Sequence, residues 1–202
     1  MIENLVLDMG NVLLDWNPRA FAAMAAPEAG DAPALYDALF GSPEWPLSDE
    51  GRISDAEILR LARSRVPDRL KAAVRRMHDE WPDWIEELPG AADFLKEASA
   101  AGLKLYLLSN AGARFPDCLS RFAFYARFSG AVVSAHERLL KPDKRIYEVL
   151  LTRYGLSPER CLFVDDMAVN VEGARAAGIE GAVFDGDYGR LKRALRALGA
   201  PL

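Results

Sequence analysis

The sequence predicts an α/β fold, in which a doubly wound parallel sheet carries an inserted all-helical segment. Apolar, strand-like runs alternate with amphipathic helices from about residue 91 to the C-terminus, and one further run of this kind stands alone near the N-terminus. Between them, helical spacing extends from Trp16 to about Leu88 without a comparable buried strand. We therefore predict a core of residues 1–15 and 88–202 and a helical cap of residues 16–87.

The N-terminal run predicts a buried strand from Asn4 to Met9. The inserted segment predicts about four helices, one of which begins with Ser54 as N-cap and Glu57 as its capping-box partner. A second strong helical run extends from Asp68 to Trp81. The predicted breaks between these helices are the proline and glycine positions Pro27, Gly30, Pro43, Pro46, Gly51, Pro67 and Pro82.

After Gly90 the predicted strands and helices alternate along the chain. The predicted helices are Ala91 to Ala101, about Phe115 to Phe124, Asp143 to Tyr154, about Val169 to Ala177, and Tyr188 to Leu198. The predicted strands are Leu103 to Leu108, Gly130 to Val133, Arg160 to Val164, and Ile179 to Val183. Because ligands of such sheets bind outside the carboxyl ends of the strands, we expect the inserted helices to cover that edge as a lid.

Composition limits the classes of protein to be considered. The chain has 202 residues, of which 50% are hydrophobic, and its net charge of -5 comes from interleaved acidic and basic residues without a basic stripe, so no nucleic-acid partner is expected. No apolar stretch approaches the ~20 residues that span a bilayer, so no membrane partner is expected and the cytoplasm is the expected compartment. Cys118 and Cys161 lack CxxC spacing and are predicted to be reduced, buried or neutral in role.

Polar side chains follow four of the predicted strands. Asp8 ends the first run, Ser109 and Asn110 follow the second, Lys141 follows the third, and Asp165 and Asp166 end the fourth. Since the carboxyl ends of parallel strands meet at one edge of a sheet, these groups are expected to converge there.

The converging carboxylates require a compensating charge. Asp8, Asp165 and Asp166 would repel one another at short range, and an all-oxygen set of ligands favours Mg²⁺, which is typically held by one or two carboxylates together with a substrate phosphate oxygen. Lys141 adds a positive charge, and Ser109 with Asn110 offers a hydroxyl and backbone N–H donors. In such a site Asp8 could attack phosphorus and form an aspartyl-phosphate that water hydrolyses.

These motifs resemble those of the haloacid dehalogenase-like hydrolases. Asp8-Met9-Gly10-Asn11-Val12 resembles the family's first motif, Ser109 in LLSN the second, Lys141 in KPDKRIY the third, and Asp165-Asp166 in FVDDMAVNVEGA the fourth. The resemblance covers nearly the whole chain and implies a Rossmann-like core with a helical cap. It implies Asp8 as nucleophile, Mg²⁺ held by Asp8, the backbone carbonyl of Gly10 and Asp166 with Asp165 beside them, and phosphate held by Ser109, Asn110 and Lys141.

Position 10 departs from the family pattern. Most phosphatases of this family carry a second Asp two residues after the nucleophile as general acid and base, whereas this chain has Gly10. Loss of such a group typically slows a reaction by ~10² to 10⁴-fold without abolishing it. The form of this motif and the tract EGRIS (Glu50 to Ser54) resemble the subgroup that includes alpha-D-glucose 1-phosphate phosphatase. An anomeric oxygen leaves readily, so a sugar 1-phosphate is the predicted candidate substrate.

The prediction is thus a Mg²⁺-dependent phosphatase acting on a small phosphate ester, and two alternatives stay open. One is a hydrolytic 2-haloacid dehalogenase that uses Asp8 without a metal, and the other is a non-catalytic phosphate-binding domain. Trp45 is a candidate substrate contact from the cap, with cap packing as its alternative role. Asn170 is a candidate brace of the site, Asp15 is expected to cap or brace the first cap helix, and His78 and His136 are expected to be surface groups. Oligomeric state is not predicted.

Overall fold

A five-stranded, all-parallel sheet forms the centre of the computed structural model, which describes residues 2–202 apart from the side chains at positions 116 and 117. The strands are β1 (Asn4–Leu7), β2 (Lys104–Ser109), β3 (Phe128–Val133), β4 (Cys161–Asp165) and β5 (Glu180–Val183). Their order across the sheet is β3-β2-β1-β4-β5, so that Asn4 of the central strand pairs with Lys104 on one side and with Cys161 on the other. The predicted α/β fold with a doubly wound parallel sheet is confirmed.

Eleven α-helices are described in this part of the chain. They are α1 (Pro18–Ala25), α2 (Ala32–Ala38), α3 (Trp45–Asp49), α4 (Asp55–Ser64), α5 (Lys71–Trp84), α6 (Ala91–Ala100), α7 (Phe115–Leu119), α8 (Ser134–Glu137), α9 (Lys144–Tyr154), α10 (Ala168–Ala176) and α11 (Tyr188–Ala197). Over residues 2–202, none of these helices combines the length and the apolar character needed to cross a bilayer.

Side chains of β1 alternate between two apolar cores because successive residues of a strand point to opposite faces. Leu5 and Leu7 pack in the core that also contains the apolar residues of the inserted helices, whereas Val6 packs in the core of the opposite face. All four β1 residues are buried, as expected for the central strand of a parallel sheet covered on both faces. The strand therefore places the residue that follows it, Asp8, at a fixed point on the carboxyl edge.

The inserted segment contains five α-helices, so the prediction of about four was wrong. The additional helix is α3, which has only five residues and contains Pro46 in its first turn. Ser54 caps α4 as predicted, its hydroxyl accepting from the backbone N–H of Glu57 at 3.2 Å. The first helix is capped by Asn17, whose side chain accepts from Ala20 N at 3.1 Å, and not by Asp15, which is exposed. The core and cap boundaries stay predictions.

Pro82 was predicted to break a helix, but it lies inside α5. A proline cannot donate to the carbonyl four residues before it, which leaves the His78 carbonyl without its helical partner. Arg114 Nη2 approaches that carbonyl at 3.5 Å and supplies a donor from the core. The helix therefore continues to Trp84 because a side chain outside it replaces the missing backbone hydrogen bond.

The predicted helix from Phe115 to Phe124 was also wrong in extent. α7 ends at Leu119, and a 3-10 turn follows at Ala123–Arg127. Phe122 N donates to Leu119 O at 3.0 Å, which tightens the chain after α7 and turns it toward the edge strand β3. The other strand and helix boundaries predicted for the core differ from those observed by at most two residues. Cys118 and Cys161 are free and buried, as predicted.

Gly51 allows the inserted segment to approach the core closely. Its φ is +68°, and a Cβ at this position would clash with the carbonyl oxygen of Ala135 in α8. Gly102 also has a positive φ, +87°, but a Cβ there would meet nothing within 4 Å. The two glycines therefore share a backbone conformation and differ in available space.

We predict that Gly51→Ala lowers the free energy of unfolding more than Gly102→Ala. The left-handed backbone should cost each variant about 1–3 kcal/mol, and the clash should cost Gly51→Ala about 1–3 kcal/mol more. Urea denaturation of both variants and the native protein measures the difference. Equal urea midpoints for the two variants would show that α3 and α8 can move apart to relieve the clash without a loss of stability.

Candidate active site

The candidate site lies at the switch point of the sheet, where the strand order reverses. The chain runs from β1 outward through β2 and β3, then returns to place β4 on the other side of β1. The crevice between the carboxyl ends of β1 and β4 is the usual ligand position in such sheets. Asp8 follows β1, and Asp165 ends β4, so both predicted carboxylates lie in this crevice.

Lys141 is a buried ion-pair partner of both aspartates. Its Nζ lies 2.8 Å from Asp8 Oδ1 and 2.7 Å from Asp165 Oδ2, and it donates to Leu108 O at 2.9 Å. Burial disfavours the charged ammonium, but the nearby carboxylates of Asp8 and Asp165 hold the pKa of Lys141 above its ordinary value. The sequence prediction that Lys141 joins this cluster agrees with its position.

Both carboxylate oxygens of Asp165 are engaged within the protein. Oδ2 accepts from Lys141 Nζ at 2.7 Å, while Oδ1 accepts from Met167 N at 2.8 Å and from Asn170 Nδ2 at 2.9 Å. Asp165 is fully buried, and Asn170, the candidate brace, holds it from α10. We therefore assign Asp165 the role of orienting Lys141, and a direct contact of Asp165 with a metal stays a prediction.

Asp8 and Asp166 keep oxygens free for a cation. Oxygen atoms of Asp8, Asp165 and Asp166 all lie within 4.8 Å of one another. Asp8 Oδ1 is buried with Lys141 Nζ 2.8 Å away, so a cation binding to Asp8 would share this carboxylate with the ammonium. Asn11, whose φ is +54°, donates from Nδ2 to Asp166 Oδ2 at 3.1 Å, which leaves the other oxygen of Asp166 available.

The charges of this cluster fit a divalent cation. Burial raises the pKa of Asp8 to about 6 despite the opposing effect of Lys141, and burial also raises the pKa of Asp166. Both shifts record the cost of placing three carboxylates beside one ammonium in a site with little water. A hard cation with oxygen ligands would offset that cost, so these residues suit Mg²⁺.

Ser109 and Asn110 occupy the end of β2 beside Lys141. Ser109 is buried and lines the crevice. The side chain of Asn110 is used by the main chain of Lys141, since Oδ1 accepts from Lys141 N at 2.8 Å and Nδ2 donates to Lys141 O at 3.0 Å. Phosphate binding by Asn110 stays a prediction. Because its side chain is hydrogen-bonded to Lys141, Asn110 would contact the phosphate through its backbone N–H.

A cavity of about 210 Å³ extends from this edge to the inserted helices. Its core lining consists of the cluster residues and the loop after β2, and its other wall is aromatic and aliphatic. The wall from the inserted segment contains Trp16, Trp45, Ile58, Trp81 and Ile85. The helices between residues 16 and 88 therefore cover the carboxyl edge, as the expected lid does.

Trp45 belongs to this aromatic wall and also packs within it. Its ring stacks on Trp16 at a centroid distance of 6.0 Å and meets Phe40 edge-on at 4.7 Å. It is half-buried and lines the cavity, so both roles considered for it, packing and substrate contact, are compatible with its position. A contact with substrate stays a prediction.

Four polar residues of the cavity were missed by the sequence analysis. His78 was expected at the surface but is buried, with Nδ1 2.7 Å from Asp79 Oδ1, whereas His136 is exposed as expected. The other three, Asp49, Asp55 and Arg114, also line the cavity, and Arg114 Nε lies 3.5 Å from Asp55 Oδ2. Asp49 and Asp55 had a local signal, since they directly precede and follow the EGRIS tract.

Fold and site together define an α/β protein with an acidic cluster at the switch point of its sheet, and comparison with known proteins assigns its family. The model of the haloacid dehalogenase-like hydrolases matches residues 2–178, so the chain belongs to this family. The predicted family and its Rossmann-like fold are thereby confirmed.

Several relatives match over most of the chain. A sesquiterpene phosphatase of Aspergillus oryzae is 26% identical over 179 residues, covering 87% of this chain and 86% of its own. A phosphorylated carbohydrates phosphatase of Thermotoga maritima is 28% identical over 188 residues, covering 89% of this chain and 83% of its own. Among solved structures, a variant of a Bacteroides thetaiotaomicron family enzyme in complex with magnesium and inorganic phosphate has a TM-score of 0.74 at 19% identity, covering 95% of this chain and 99% of that one.

Proposed function

We propose that the protein is a Mg²⁺-dependent phosphatase that hydrolyses a small phosphate ester through an aspartyl-phosphate on Asp8. The observation that carries the proposal is the position of Asp8, which lines the cavity and whose carboxylate lies 2.8 Å from Lys141 Nζ and within 4.8 Å of two further carboxylates. Two relatives that match most of the chain are named as phosphatases, which agrees with this chemistry.

Each residue of the site has a distinct role in the proposed reaction. The phosphate would sit between Lys141 and the end of β2, where the Ser109 hydroxyl and the backbone N–H of Asn110 can donate to its oxygens. A carboxylate oxygen of Asp8 attacks phosphorus, the bond to the leaving oxygen breaks, and water then attacks the phosphorus of the aspartyl-phosphate. Mg²⁺ held by Asp8, the Gly10 carbonyl and Asp166 would neutralise charge on the phosphate. Asp165 keeps Lys141 in place.

The cavity limits the size of the ester. Its volume of about 210 Å³ is below the ~300–1,000 Å³ typical of pockets for drug-sized ligands, so a compact leaving group fits better than a long one. A sugar 1-phosphate satisfies this limit, and the likeness to a glucose 1-phosphate phosphatase stays a prediction. We expect faster turnover of glucose 1-phosphate than of glucose 6-phosphate, because the anomeric oxygen leaves more readily, and equal or reversed rates would contradict this substrate.

The test is a screen of phosphate esters and 2-haloacids with and without Mg²⁺, run on the native protein and on Asp8→Asn. Hydrolysis of a phosphate ester that requires both Mg²⁺ and Asp8 supports the proposal. Mg²⁺-independent activity on a 2-haloacid, with none on esters, would assign Asp8 to displacement of halide. Activity in neither protein would indicate a phosphate-binding domain.

Mg²⁺ itself should stabilise the fold through the cluster. At 100 times its dissociation constant, a ligand that binds only the native state adds about 2.7 kcal/mol, which corresponds to a rise in Tm of roughly 5 to 10 °C for a chain of this size. Thermal unfolding with MgCl₂ should show this rise, and KCl at matched ionic strength should not. Asp166→Asn should lose most of this rise in Tm. A full rise in that variant would show that the metal does not bind to Asp166.

A further inference from the structure

Position 10 has no acid, and the neighbouring space is aromatic. A Cβ added to Gly10 would lie 3.4 Å from Trp16 Cβ, in ordinary contact, so a longer acidic side chain would point toward the Trp16 ring. Trp16 in turn stacks on Trp45, the first residue of α3. A proton for the leaving group therefore has to come from another part of the cavity.

Two carboxyl groups outside the metal cluster line the cavity, and they differ in their partners. Asp55 forms an ion pair with Arg114, whose Nε lies 3.5 Å from Asp55 Oδ2. Asp49 has no ion-pair partner among the residues that the structure describes, and its carboxyl accepts from the backbone N–H of Gly112 and the indole N–H of Trp45. Of the two, Asp49 is the one suited to hold a proton.

The carboxyl of Asp49 is held against the proposed phosphate-binding loop. Gly112 is two residues after Asn110, and a Cβ on Gly112 would lie 4.0 Å from Asp49 Oδ1. The main chain of Asp49 is anchored as well, since Ser134 Oγ donates to its carbonyl at 2.5 Å and accepts from Ala111 N at 2.8 Å. The inserted segment thus places an acidic side chain beside the loop that follows Ser109.

We propose that Asp49 is the general acid and base of this site, supplied by the inserted segment in place of a residue at position 10. The proposal rests on the phosphatase function proposed above. As Asp8 attacks and the phosphorus–oxygen bond of the ester breaks, the Asp49 proton passes to the leaving oxygen, which departs as an alcohol. The Asp49 carboxylate then takes a proton from the water that attacks phosphorus, which releases phosphate and restores both aspartates.

The protonation state supports this assignment. Desolvation raises the pKa of Asp49 to about 8, against the opposing effect of its two hydrogen bonds, so the carboxyl is mostly protonated at pH 7. A catalytic acid works best when its pKa lies near the operating pH. Two titratable groups lie near Asp49 outside the cavity: Glu50 is the next residue, and His136 lies on α8, which packs against α3. The other titratable groups that line the cavity are Asp8, Asp55, His78, Arg114, Lys141 and Asp166.

The test compares two leaving groups in the native protein and in Asp49→Asn, which keeps a hydrogen-bond acceptor. The leaving group of glycerol 2-phosphate is an alkoxide, which needs a proton. The leaving group of 4-nitrophenyl phosphate is a stable phenolate, which does not. We expect kcat/KM of Asp49→Asn to fall by about 10² to 10⁴-fold for glycerol 2-phosphate and by less than about 5-fold for 4-nitrophenyl phosphate. In a plot of kcat/KM for glycerol 2-phosphate against pH, the native protein should show a basic limb near pH 8. This limb should be absent in Asp49→Asn.

Asp55→Asn is the matched control, because it removes a carboxyl of the same cavity and should change both esters by the same factor. An equal loss for both esters in Asp49→Asn would overturn the proposal and leave Asp49 a structural role. An infrared band of a protonated carboxyl at pH 7 that is absent in Asp49→Asn would support it independently of activity, and its absence in the native protein would overturn it. If the native protein hydrolyses neither of these esters nor any other ester of the screen, the proposed function itself fails.

Discussion

Replacing Asp8 with Asn is expected to reduce phosphate-ester hydrolysis by on the order of 10⁴-fold or more, because an amide cannot form the aspartyl-phosphate. Steady-state kinetics with Mg²⁺ on an ester found in the screen measures the loss. Asp15→Asn, an exposed carboxyl of the same N-terminal segment, is the matched control and should retain native rates. Retention of even a hundredth of the activity in Asp8→Asn would exclude Asp8 as nucleophile.

Loss of activity in Asp8→Asn should not come from loss of the fold. Burial raises the pKa of Asp8 from 3.8 to about 6, so the folded protein disfavours the charged carboxylate. The stability that this group contributes is complete below its unfolded pKa and is lost as the pH rises to about 6. At pH 8 without a metal, Asp8→Asn should therefore unfold at the native temperature or above it, and a clearly lower Tm would point to a structural role for the carboxylate.

Replacing Lys141 with Met is expected to cause a large loss of stability. The Lys141 side chain is 1% exposed and the Asp165 side chain 0%, so the variant leaves a fully buried carboxylate without its cation. Breaking a buried pair in this way typically costs about 3–5 kcal/mol. Urea denaturation at pH 7 without metal measures the cost, and phosphate-ester hydrolysis should be lost in the same variant.

Lys192→Met is the matched control for Lys141→Met. Lys192 pairs with Glu97 at 2.8 Å, but their side chains are 26% and 54% exposed, so its loss should cost at most about 1 kcal/mol. Adding Asp165→Asn to Lys141→Met should recover part of the stability, because the unpaired charge is then absent. If Lys141→Met unfolds at the midpoint of Lys192→Met, the cluster is more hydrated than its burial indicates.

The sequence contained enough information for the sheet and for the residues of its carboxyl edge. Strand and helix periods are local properties, and the parallel arrangement follows from their alternation. Because parallel strands end at one edge, Asp8, Ser109, Lys141 and Asp166 could be expected together before any coordinates. The predictions that failed, at Pro82 and after Leu119, failed where a partner distant in sequence or a tight turn outweighed local propensity.

The inserted segment shows what local pattern could not supply. His78 is a helical residue among charged neighbours, and only packing against the core shows that it is buried in the cavity wall. Asp49 is one acidic residue among many until Gly51 brings its turn against α8 and Gly112 meets its carboxyl. Neither contact leaves a periodic signal, because each joins the inserted segment to core residues that are distant in the sequence.

The division between sequence and structure follows the range of the interactions. The sequence by itself determined the fold class, the family and the identity of the acidic cluster, since these depend on short-range period and on motifs at the ends of strands. Tertiary structure decided that Asn110 and Asp165 hold Lys141 and that Asp49 and Asp55 of the inserted segment line the cavity. Hydrogen-bond saturation and burial are properties of the assembled site, so no segment of the chain contains them before it folds.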